Sequence, residues 1–247
     1  MTSPPTDVSI SVITATLNAG EQLPHLITSL KNQTDKNFKW IVADGGSNDA
    51  TCILIDEIQG LDVKISSQPD FGIYDALNRA IKLLETDYYI VVGADDILYS
   101  NAIEDFRKAI LETGADIITS QVVSDGKVLT TKMKPSWLYG QASLITSHSV
   151  GAVFKKSLHQ KYGYYSNKFP IAADQLFVKL ACRGGASRHE AKFISGEFGA
   201  TGTSNIDIAG VLSEVFRIQL LTEKNKYLQI FIFIFRLLKN ATKIKRQ

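Results

Sequence analysis

The sequence is poor in cysteine and has no hydrophobic run long enough to cross a bilayer. Its 247 residues include two cysteines, Cys52 and Cys182, which fit reduced, buried thiols in a reducing compartment better than a disulfide framework. The apolar stretch at residues 227–238 is far shorter than the roughly 20 residues of a membrane span. The first residues lack the basic and apolar regions of a secretion signal. Together these absences predict a cytoplasmic protein.

A strong charge of either sign is also missing. The formal net charge is +2, and the basic residues are spread along the chain except at its extreme C-terminus. Nucleic-acid binding usually requires a basic patch, so we expect a small-molecule partner and no nucleic acid. With 45% hydrophobic and 21% charged residues, a chain of this length can bury a full core as one large domain or two intimate halves.

Hydrophobic periodicity divides the chain into two parts. Apolar runs and helical periods alternate through the first hundred residues, which predicts a mostly parallel sheet with right-handed crossovers and helices on both faces. The predicted strands are residues 8–14, 40–43, 63–65 and 89–92, and the predicted helices are residues 21–31, 49–58 and 73–84. Beyond residue 96 the pattern becomes mixed. It comprises a helix at 102–112, a strand at 116–120, a hairpin at 122–129, no long helix in 132–170, a helix at 174–183, an extended segment at 193–198 and a helix at 206–224.

Two adjacent carboxylates end the most apolar of these strands. Asp95 and Asp96 follow the run at residues 88–94, and ligands of α/β sheets bind outside the carboxyl ends of the strands. Hard oxygen ligands at such a position can hold Mg²⁺ or Mn²⁺ and leave room for substrate phosphates. The alternative is that one of the two acids caps the next helix, which is expected to start near Asn101.

Polar residues also close the first two strands. Thr14, Thr16 and Asn18 end the first, and Asp44 ends the second, just before a Gly-Gly-Ser turn. An aspartate at this place can accept from a ribose hydroxyl or a base N–H, and the glycines let a ligand approach the backbone. These four residues are therefore candidate donor-binding residues. A turn-forming role for Asp44 is the alternative.

Four segments in order resemble the family 2 glycosyltransferases of GT-A fold. They are SVITATLN at 11–18, DGGSNDAT at 44–51, GIYDALNRAI at 72–81 and GADD at 93–96. The third segment is especially similar to members that build bacterial surface polysaccharides. The resemblance covers most of residues 8–200. It implies a GT-A-like fold, with a Rossmann-like nucleotide-binding half joined to an acceptor-binding half.

The resemblance also implies an activity and a cofactor. The activity is transfer of a sugar from a nucleotide-diphosphate sugar, by family habit a UDP-sugar, to a hydroxyl with inversion, and the cofactor is Mn²⁺ or Mg²⁺. The usual Asp-X-Asp metal motif is altered here, because Gly93 replaces the first acid. The metal contact then falls on Asp95, or on Asp96 if the register slips by one. The chain shows no Gln-X-X-Arg-Trp motif, which implies addition of a single sugar.

Asp174 is the residue that the resemblance suggests as the catalytic base. It begins the helix at 174–183, where an N-cap is the alternative role. Asp70 and Asn78 are further candidates for donor binding, and His148 is a weaker candidate for contact with the diphosphate or acceptor. His25, His159 and His189 show no metal-ligand spacing. A plain Pro-Asp turn is the alternative for Asp70.

The predicted organisation is a glycosyltransferase domain at 1–204, with a nucleotide-sugar half at 8–98 and an acceptor half at 99–204, followed by a helical extension at 205–247. Two other functions stay open. A sugar-phosphate nucleotidyltransferase is expected to carry a basic Gly-rich loop after its first strand, and residues 18–21 are Asn-Ala-Gly-Glu. A non-catalytic nucleotide-sugar binding protein is the other alternative, because Gly93 can signal a decayed metal site.

The C-terminal segment suggests a surface partner. Residues 227–238 are apolar nearly all round, and five basic residues at 236–246 come without any acid. This pattern is typical of an interfacial anchor on the anionic inner face of the cytoplasmic membrane, which suits a lipid-linked glycan acceptor. The alternative is a helix packed on the domain or in a dimer interface, with a frayed basic tail.

Overall fold

The computed structural model describes residues 7–132, 134–146, 149–199 and 207–245. Within these residues nine strands form one sheet in the order β3-β2-β1-β4-β8-β6-β9-β5, with β7 paired to β6. The strands are β1 Ile10–Thr16, β2 Phe38–Asp44, β3 Asp62–Ser67, β4 Tyr88–Val91, β5 Ile97–Leu98, β6 Ile117–Ser124, β7 Lys127–Leu129, β8 Ala152–Lys155 and β9 Arg188–Glu197. The α-helices are α1 Leu23–Lys31, α2 Thr51–Asp56, α3 Ile73–Leu83, α4 Ala102–Thr113, α5 Ser136–Tyr139, α6 Leu158–Tyr162, α7 Ala173–Arg183, α8 Ile208–Thr222 and α9 Lys226–Ile244.

The first four strands are parallel, as the alternating pattern predicts. β2 pairs with β1 and β3, and β4 pairs with β1 on the other side. The central strands are almost entirely buried because helices cover both faces, which explains their near-continuous apolar sequence. The register aligns Thr16 with Asp44 and Asp44 with Ser67, so three polar side chains stand in a row at the carboxyl edge.

The rest of the sheet is mixed, which confirms the predicted change of pattern. β8 is antiparallel to both β4 and β6, whereas β6 and β9 are parallel with two register shifts. The sequence analysis did not predict β8, a four-residue strand between short helices. The pairing of β4 with β8 carries the sheet without a break across the expected boundary near residue 98.

Two hydrophobic clusters lie on the two faces of the sheet. One contains α1 and α4 against β1, β2 and β4, with Leu26, Trp40 and Phe106 fully buried. The other contains α3, α7 and α8, and it includes Leu77 and Phe177. α3 and α7, on the same face, are therefore the elements that can bring residues of the two halves together.

The two C-terminal helices pack on each other, and α8 also packs on α7. Lys179 of α7 is buried, and its Nζ lies 2.7 Å from Glu223 Oε1 just after α8. Phe216 of α8 and Phe233 of α9 stack with ring centroids 4.3 Å apart. No helix in the described part of the chain combines the length and hydrophobicity needed to cross a membrane.

Candidate active site

The predicted polar edge is built from strand ends. Thr16 Oγ1 donates to Asp44 Oδ1 at 3.1 Å, and Ser67 Oγ donates to Asp44 Oδ2 at 2.7 Å. Asp44 also accepts from the backbone N–H of Gly46 and Ser47, each at 3.0 Å. The side chain of Asp44 is fully buried beneath the Gly-Gly-Ser turn. It therefore holds the shape of the turn that a ligand at this edge would contact.

The ionised state of Asp44 is strongly favoured. Burial alone raises the pKa of this carboxyl, but hydrogen bonds from Ser47, Ser67 and two backbone amides outweigh burial and lower the pKa to about 2. A carboxylate that accepts several N–H and O–H donors keeps its charge because each donor stabilises the anion. Asp44 is thus a fixed negative charge under the edge of the sheet.

Asn18 joins the loops that follow β1 and β2. Its backbone N–H donates to Ser47 Oγ at 2.8 Å, and its side-chain Oδ1 accepts from the N–H of Asn48 at 3.0 Å. Asn18 has a positive φ of 49°, a conformation that asparagine tolerates better than most residues. Its side chain is exposed beside the turn at residues 45–48, so it lies where the sequence analysis expected a donor-binding residue.

Asp70 lies next to the same turn. A Cβ built on Gly45 would be 2.7 Å from Asp70 Oδ2, so the carboxylate occupies the space that any larger residue at 45 would fill. Asp70 Oδ1 accepts from the N–H of Gly72 at 2.9 Å, and Oδ2 lies 3.9 Å from the Arg79 guanidinium. The structure thus brings Asp70 together with the turn after β2 and with the start of α3.

Three candidates from the sequence lie elsewhere. Thr14 is fully buried, and its hydroxyl accepts from the Trp40 indole N–H at 3.0 Å inside the core. Asn78 donates to the carbonyl of Tyr165 at 2.8 Å and accepts from the N–H of Tyr165 at 2.9 Å, which ties α3 to the segment before α7. His148 lies outside the described residues.

Asp95 and Asp96 have different surroundings although they are adjacent. Asp96 is almost completely buried, and its two oxygens accept from the N–H groups of Gly93 at 2.7 Å and Gly199 at 2.8 Å. Burial raises the pKa of Asp96 to about 6. The two hydrogen bonds lower this pKa in part, and the nearby charge of Asp95 raises it further. Asp95 is partly exposed. Of the two predicted metal ligands, Asp95 is the more exposed, and Asp96 braces the turn.

Glycines surround Asp95 because its neighbours approach closely. A Cβ on Gly199 would be 2.3 Å from Asp95 Cγ, a distance that no packed structure allows. A Cβ on Gly93 would be 3.0 Å from Asp95 Oδ1 and 3.1 Å from Asp96 Oδ2. The position that carries an acid in the usual motif is therefore crowded here. Across the described residues, no group of three or more His, Cys, Asp or Glu side chains could hold a metal ion.

Asp174 lies in the first turn of α7 and contacts residues from two other segments. Tyr74 of α3 donates its hydroxyl to Asp174 Oδ1 at 2.6 Å, and Gln141 Nε2 donates to Oδ2 at 3.2 Å. Burial raises the pKa of Asp174 above its ordinary value, while the hydrogen bonds from Tyr74, Gln141 and the backbone offset part of that rise. The carboxylate is thus held in one orientation with an increased proton affinity.

α8 supports the end of α7 that carries Asp174. Glu214 is largely buried, and its Oε2 accepts from the N–H groups of Ile171 at 3.0 Å and Ala172 at 2.8 Å. A negative charge is favourable at a helix N-terminus, where backbone N–H groups lack partners within the helix. The sequence analysis treated α8 as part of a C-terminal extension, whereas here it contacts the segment next to the predicted base.

Comparison with known proteins decides the family. The model of "Glycosyl transferase family 2" matches residues 11–178, which is more than half of the chain and contains all four segments that carry the resemblance. The chain belongs to glycosyl transferase family 2. The matched range extends from β1 into α7, so it includes the strand-end row, Asp95 and Asp174.

Relatives of this family 2 chain include several bacterial glycosyltransferases. It is 29% identical over 185 residues to the poly(ribitol-phosphate) β-N-acetylglucosaminyltransferase TarP of Staphylococcus aureus, an alignment that covers 68% of this chain and 56% of TarP. It is 36% identical over 92 residues to a PGL/p-HBAD biosynthesis glycosyltransferase of Mycobacterium tuberculosis, which covers 36% of each protein. The chain thus spans about a third to about half of the length of these two relatives.

Solved structures confirm the GT-A fold. The S. aureus TarS fragment 1–349 in complex with UDP-GlcNAc has a TM-score of 0.72 at 19% identity, with 94% of this chain and 73% of that one covered. The mannosyltransferase PcManGT of Pyrobaculum calidifontis, in complex with GDP-Man and Mn²⁺, has a TM-score of 0.68 at 15% identity. That comparison covers 97% of this chain and 77% of PcManGT.

The sequence analysis missed the partners of the predicted base. Tyr74 lies within the segment at 72–81, but no local signal connects it to a residue 100 positions away. Gln141 lies in the short 3₁₀ turn Gly140–Ser143, in a region with no strong periodicity. The feature that could have singled out Tyr74 is its polar hydroxyl on the buried face of α3, because a buried tyrosine needs a hydrogen-bond partner.

Proposed function

We propose that this family 2 chain transfers a sugar from a nucleotide-diphosphate donor to a hydroxyl of a glycan, with inversion at the anomeric carbon. The observation that carries the proposal is the environment of Asp174, which is held by Tyr74 and Gln141 and has a pKa raised by burial. A carboxylate with increased proton affinity is a better general base.

We assign the donor nucleotide to the carboxyl edge of β1, β2 and β3. Asn18 offers an exposed amide there, and the turn at 45–48 offers backbone groups, while Thr16 and Asp44 hold that turn from beneath. Asp70 adds a carboxylate beside Gly45. UDP is our choice of nucleotide, because TarP is named as an N-acetylglucosaminyltransferase and the TarS fragment was solved with UDP-GlcNAc.

We propose that a divalent cation, Mn²⁺ or Mg²⁺, binds with the donor. Asp95 is the residue that would hold it, because it is partly exposed at the end of the apolar run whereas Asp96 is almost completely buried. When bound, such an ion neutralises the charge that develops on the departing diphosphate. A site with one protein carboxylate suits an ion whose other ligands come from the substrate and from water.

Asp174 would act on the acceptor side of the reaction. The attacking hydroxyl oxygen forms a bond to the anomeric carbon, while the bond from that carbon to the diphosphate oxygen breaks on the opposite face. The hydroxyl proton passes to a carboxylate oxygen of Asp174. Tyr74 and Gln141 orient this carboxylate without supplying a second proton acceptor, because each donates its hydrogen bond.

We further propose the roles of the larger segments. Residues 8–98 bind the nucleotide sugar, residues 99–204 bind the acceptor, and residues 205–247 form a helical extension that supports the base. The acceptor is a glycan or lipid-linked glycan of a bacterial surface polysaccharide, and one sugar is added per acceptor. Two relatives are named as a poly(ribitol-phosphate) β-N-acetylglucosaminyltransferase and a PGL/p-HBAD biosynthesis glycosyltransferase, which supports a bacterial glycan acceptor. We place the reaction in the cytoplasm, at the cytoplasmic face of the membrane.

Asp174→Asn tests the proposal directly. Asparagine keeps the shape of the side chain but cannot accept the proton, so hydrolysis of the donor or transfer to an acceptor is expected to fall about a thousandfold. Binding of UDP should be unchanged, because Asp174 contacts the acceptor side. The measurement is nucleotide release from a panel of UDP-sugars with Mn²⁺, alongside UDP affinity by calorimetry.

Asp125→Asn is the matched control. Asp125 sits at the exposed tip of the β6–β7 turn with a φ of 50°, where asparagine is equally well accommodated, so both activity and UDP binding should equal those of the parent chain. Full activity of Asp174→Asn would show that the base lies elsewhere. Absence of turnover in the parent with every donor, combined with UDP binding, would instead favour a nucleotide-sugar binding protein.

A further inference from the structure

The last helix, α9, shows its apolar residues to the outside. Tyr227, Phe231 and Leu238 are 86%, 69% and 72% exposed, and Ile234 and Phe235 between them are also exposed. Because these five residues follow one another at spacings of one, three and four, they form a continuous stripe about 16 Å long along the helix. We call this stripe the outer face of α9. Exposed apolar patches of this kind mark interaction sites.

The opposite side of α9, which contacts the domain, contains both polar and apolar residues. Gln229 is buried and donates to the carbonyl of Trp137 at 3.1 Å, and the Arg236 guanidinium donates to the carbonyl of Leu138. Ile232 is buried between them, and Phe233 stacks on Phe216 of α8. An ordinary surface helix turns its apolar side to the core and its polar side to solvent. α9 carries apolar residues on both sides, so packing against the domain accounts for the inward ones and does not explain its outer face.

The charges beside the outer face are all of one sign. Lys239 follows Phe235 by one helical turn and lies at the edge of the outer face, and Lys243, one turn further along, lies about 135° round the helix from its middle. Both lysines are exposed. Residues 224–247 contain no aspartate or glutamate. A bilayer that contains anionic phospholipids has an apolar interior and negatively charged head groups above it. An apolar stripe with basic residues next to it is complementary to such a surface.

A second copy of this chain fits the outer face less well. Antiparallel pairing of two α9 helices would bring the basic end of each one close to Lys224 and Lys226 of the other, and parallel pairing would bring Lys239 next to Lys239. In either arrangement the helix offers no carboxylate to compensate the repulsion. A lipid surface avoids this cost, because its phosphate groups supply the missing negative charge.

We infer that α9 binds the surface of an anionic phospholipid bilayer through its outer face, lying in the plane of the membrane without crossing it. The contact is close to the predicted base. α9 bonds to the carbonyls of Trp137 and Leu138 in α5, and the turn that follows α5 carries Gln141, which donates to Asp174. The functional meaning of this membrane contact rests on the proposed function, because docking through α9 would present the acceptor side of the protein to lipid-linked glycans.

The test is flotation of the full chain with vesicles, which needs no turnover. We expect binding to vesicles of phosphatidylglycerol mixed with phosphatidylcholine, and much weaker binding to phosphatidylcholine alone. Phe231→Ser combined with Phe235→Ser should weaken binding on the order of a hundredfold, because two large apolar side chains no longer enter the bilayer. Both positions are exposed, so thermal unfolding of this variant should match that of the parent.

Two further variants separate the alternatives. Lys239→Gln with Lys243→Gln should weaken binding to the anionic vesicles about thirtyfold and leave the weak binding to neutral vesicles unchanged. Ile53→Ser with Val128→Ser removes two exposed apolar side chains away from α9 and should bind like the parent. Parent-like flotation of the phenylalanine variant would overturn the inference. It would also be overturned if the parent were a dimer that this variant converted to a monomer, because the outer face would then be a self-interface.

The proposed function can fail separately. UDP affinity of the phenylalanine variant, measured without vesicles, should equal that of the parent chain. A chain that floats with anionic vesicles but neither binds UDP nor releases it would keep the membrane inference and remove the transferase proposal.

Discussion

At the scale of single residues, neighbouring acids take different roles because their surroundings differ. Asp95 and Asp96 are both strand-end carboxylates in the sequence. Asp96, however, is almost fully buried, and both of its carboxylate oxygens accept hydrogen bonds from backbone N–H groups. Periodicity can place such a pair at the end of a strand, but it cannot tell which one turns inward. That choice depends on Gly199, which lies 103 residues away from Asp96 and donates its N–H to it.

Tyr74→Phe is expected to change how the base titrates. The lost hydroxyl donates to Asp174 and lowers the pKa of this carboxyl, so its removal should raise that pKa further. The base would then be protonated at a higher pH, and the acid limb of the pH profile of kcat/KM should move upward. UDP affinity should not change. The measurement is the pH dependence of donor turnover.

Tyr165→Phe provides the comparison for that experiment. The Tyr165 ring packs 5.3 Å from the Tyr74 ring, but its hydroxyl contacts Tyr89 at 3.2 Å. Its removal should leave the acid limb in place. An equal shift of the acid limb in both variants would mean that Tyr74 acts through packing and not through its hydrogen bond to Asp174.

At the scale of elements, α8 has an unexpected position. The sequence analysis predicts this helix correctly from its period, but only the fold places Glu214 against the start of α7. For α9 too, the sequence predicts a helix but not which side of it faces the domain. Its residues are apolar nearly all round, so the period alone does not separate an inner from an outer face. Gln229 and Arg236 face inward, where they donate to backbone carbonyls of α5.

Glu214→Ala is expected to loosen the start of α7. Two N–H groups next to Asp174 would lose their acceptor, which should lower the free energy of unfolding by about 2 to 3 kcal/mol. Donor turnover should fall with it, whereas UDP affinity should stay the same, because the donor edge lies on β1 to β3. Denaturant unfolding and donor turnover measure the two effects.

Glu214→Gln separates charge from shape in that prediction. Glutamine retains an oxygen that can accept both N–H groups, so it should recover most of the stability and part of the turnover. Unchanged turnover in Glu214→Ala would show that α8 supports the fold without positioning the base.

At the scale of the whole molecule, the sequence predicts the parallel half better than the mixed half. Parallel strands with helical crossovers recur at regular intervals, so their order follows from the period. β8 has four residues between short helices, and β9 pairs with β6 through two register shifts, so their places depend on contacts that are distant in sequence. The predicted strand ends do meet at one edge of the sheet, because they belong to the regular part.

UDP and Mn²⁺ together should stabilise the whole chain. A ligand at about 100 times its dissociation constant adds about 2.7 kcal/mol to the free energy of unfolding, which raises the melting temperature of a chain of this size by roughly 5 to 10 °C. The shift should disappear with a chelator. Asp95 supplies only one protein ligand to the cation, so the cation and the UDP diphosphate depend on each other for binding. A shift of equal size with GDP would contradict our choice of nucleotide, and a shift that survives chelation would contradict the metal.

The surroundings of Asp174 have a consequence for newly made protein. The carboxylate is oriented by Tyr74, by Gln141 and, through the start of α7, by Glu214, so its three supports span 140 positions of the chain. The proposed donor and metal ligands need only β1 to β4 and the loops that follow these strands. During synthesis on the ribosome, a chain that has emerged through residue 96 would contain all of these ligands, but it would lack the proposed base and could not transfer a sugar. Sugar transfer would begin only after α8 has docked, which protects activated sugars from being wasted by unfinished chains.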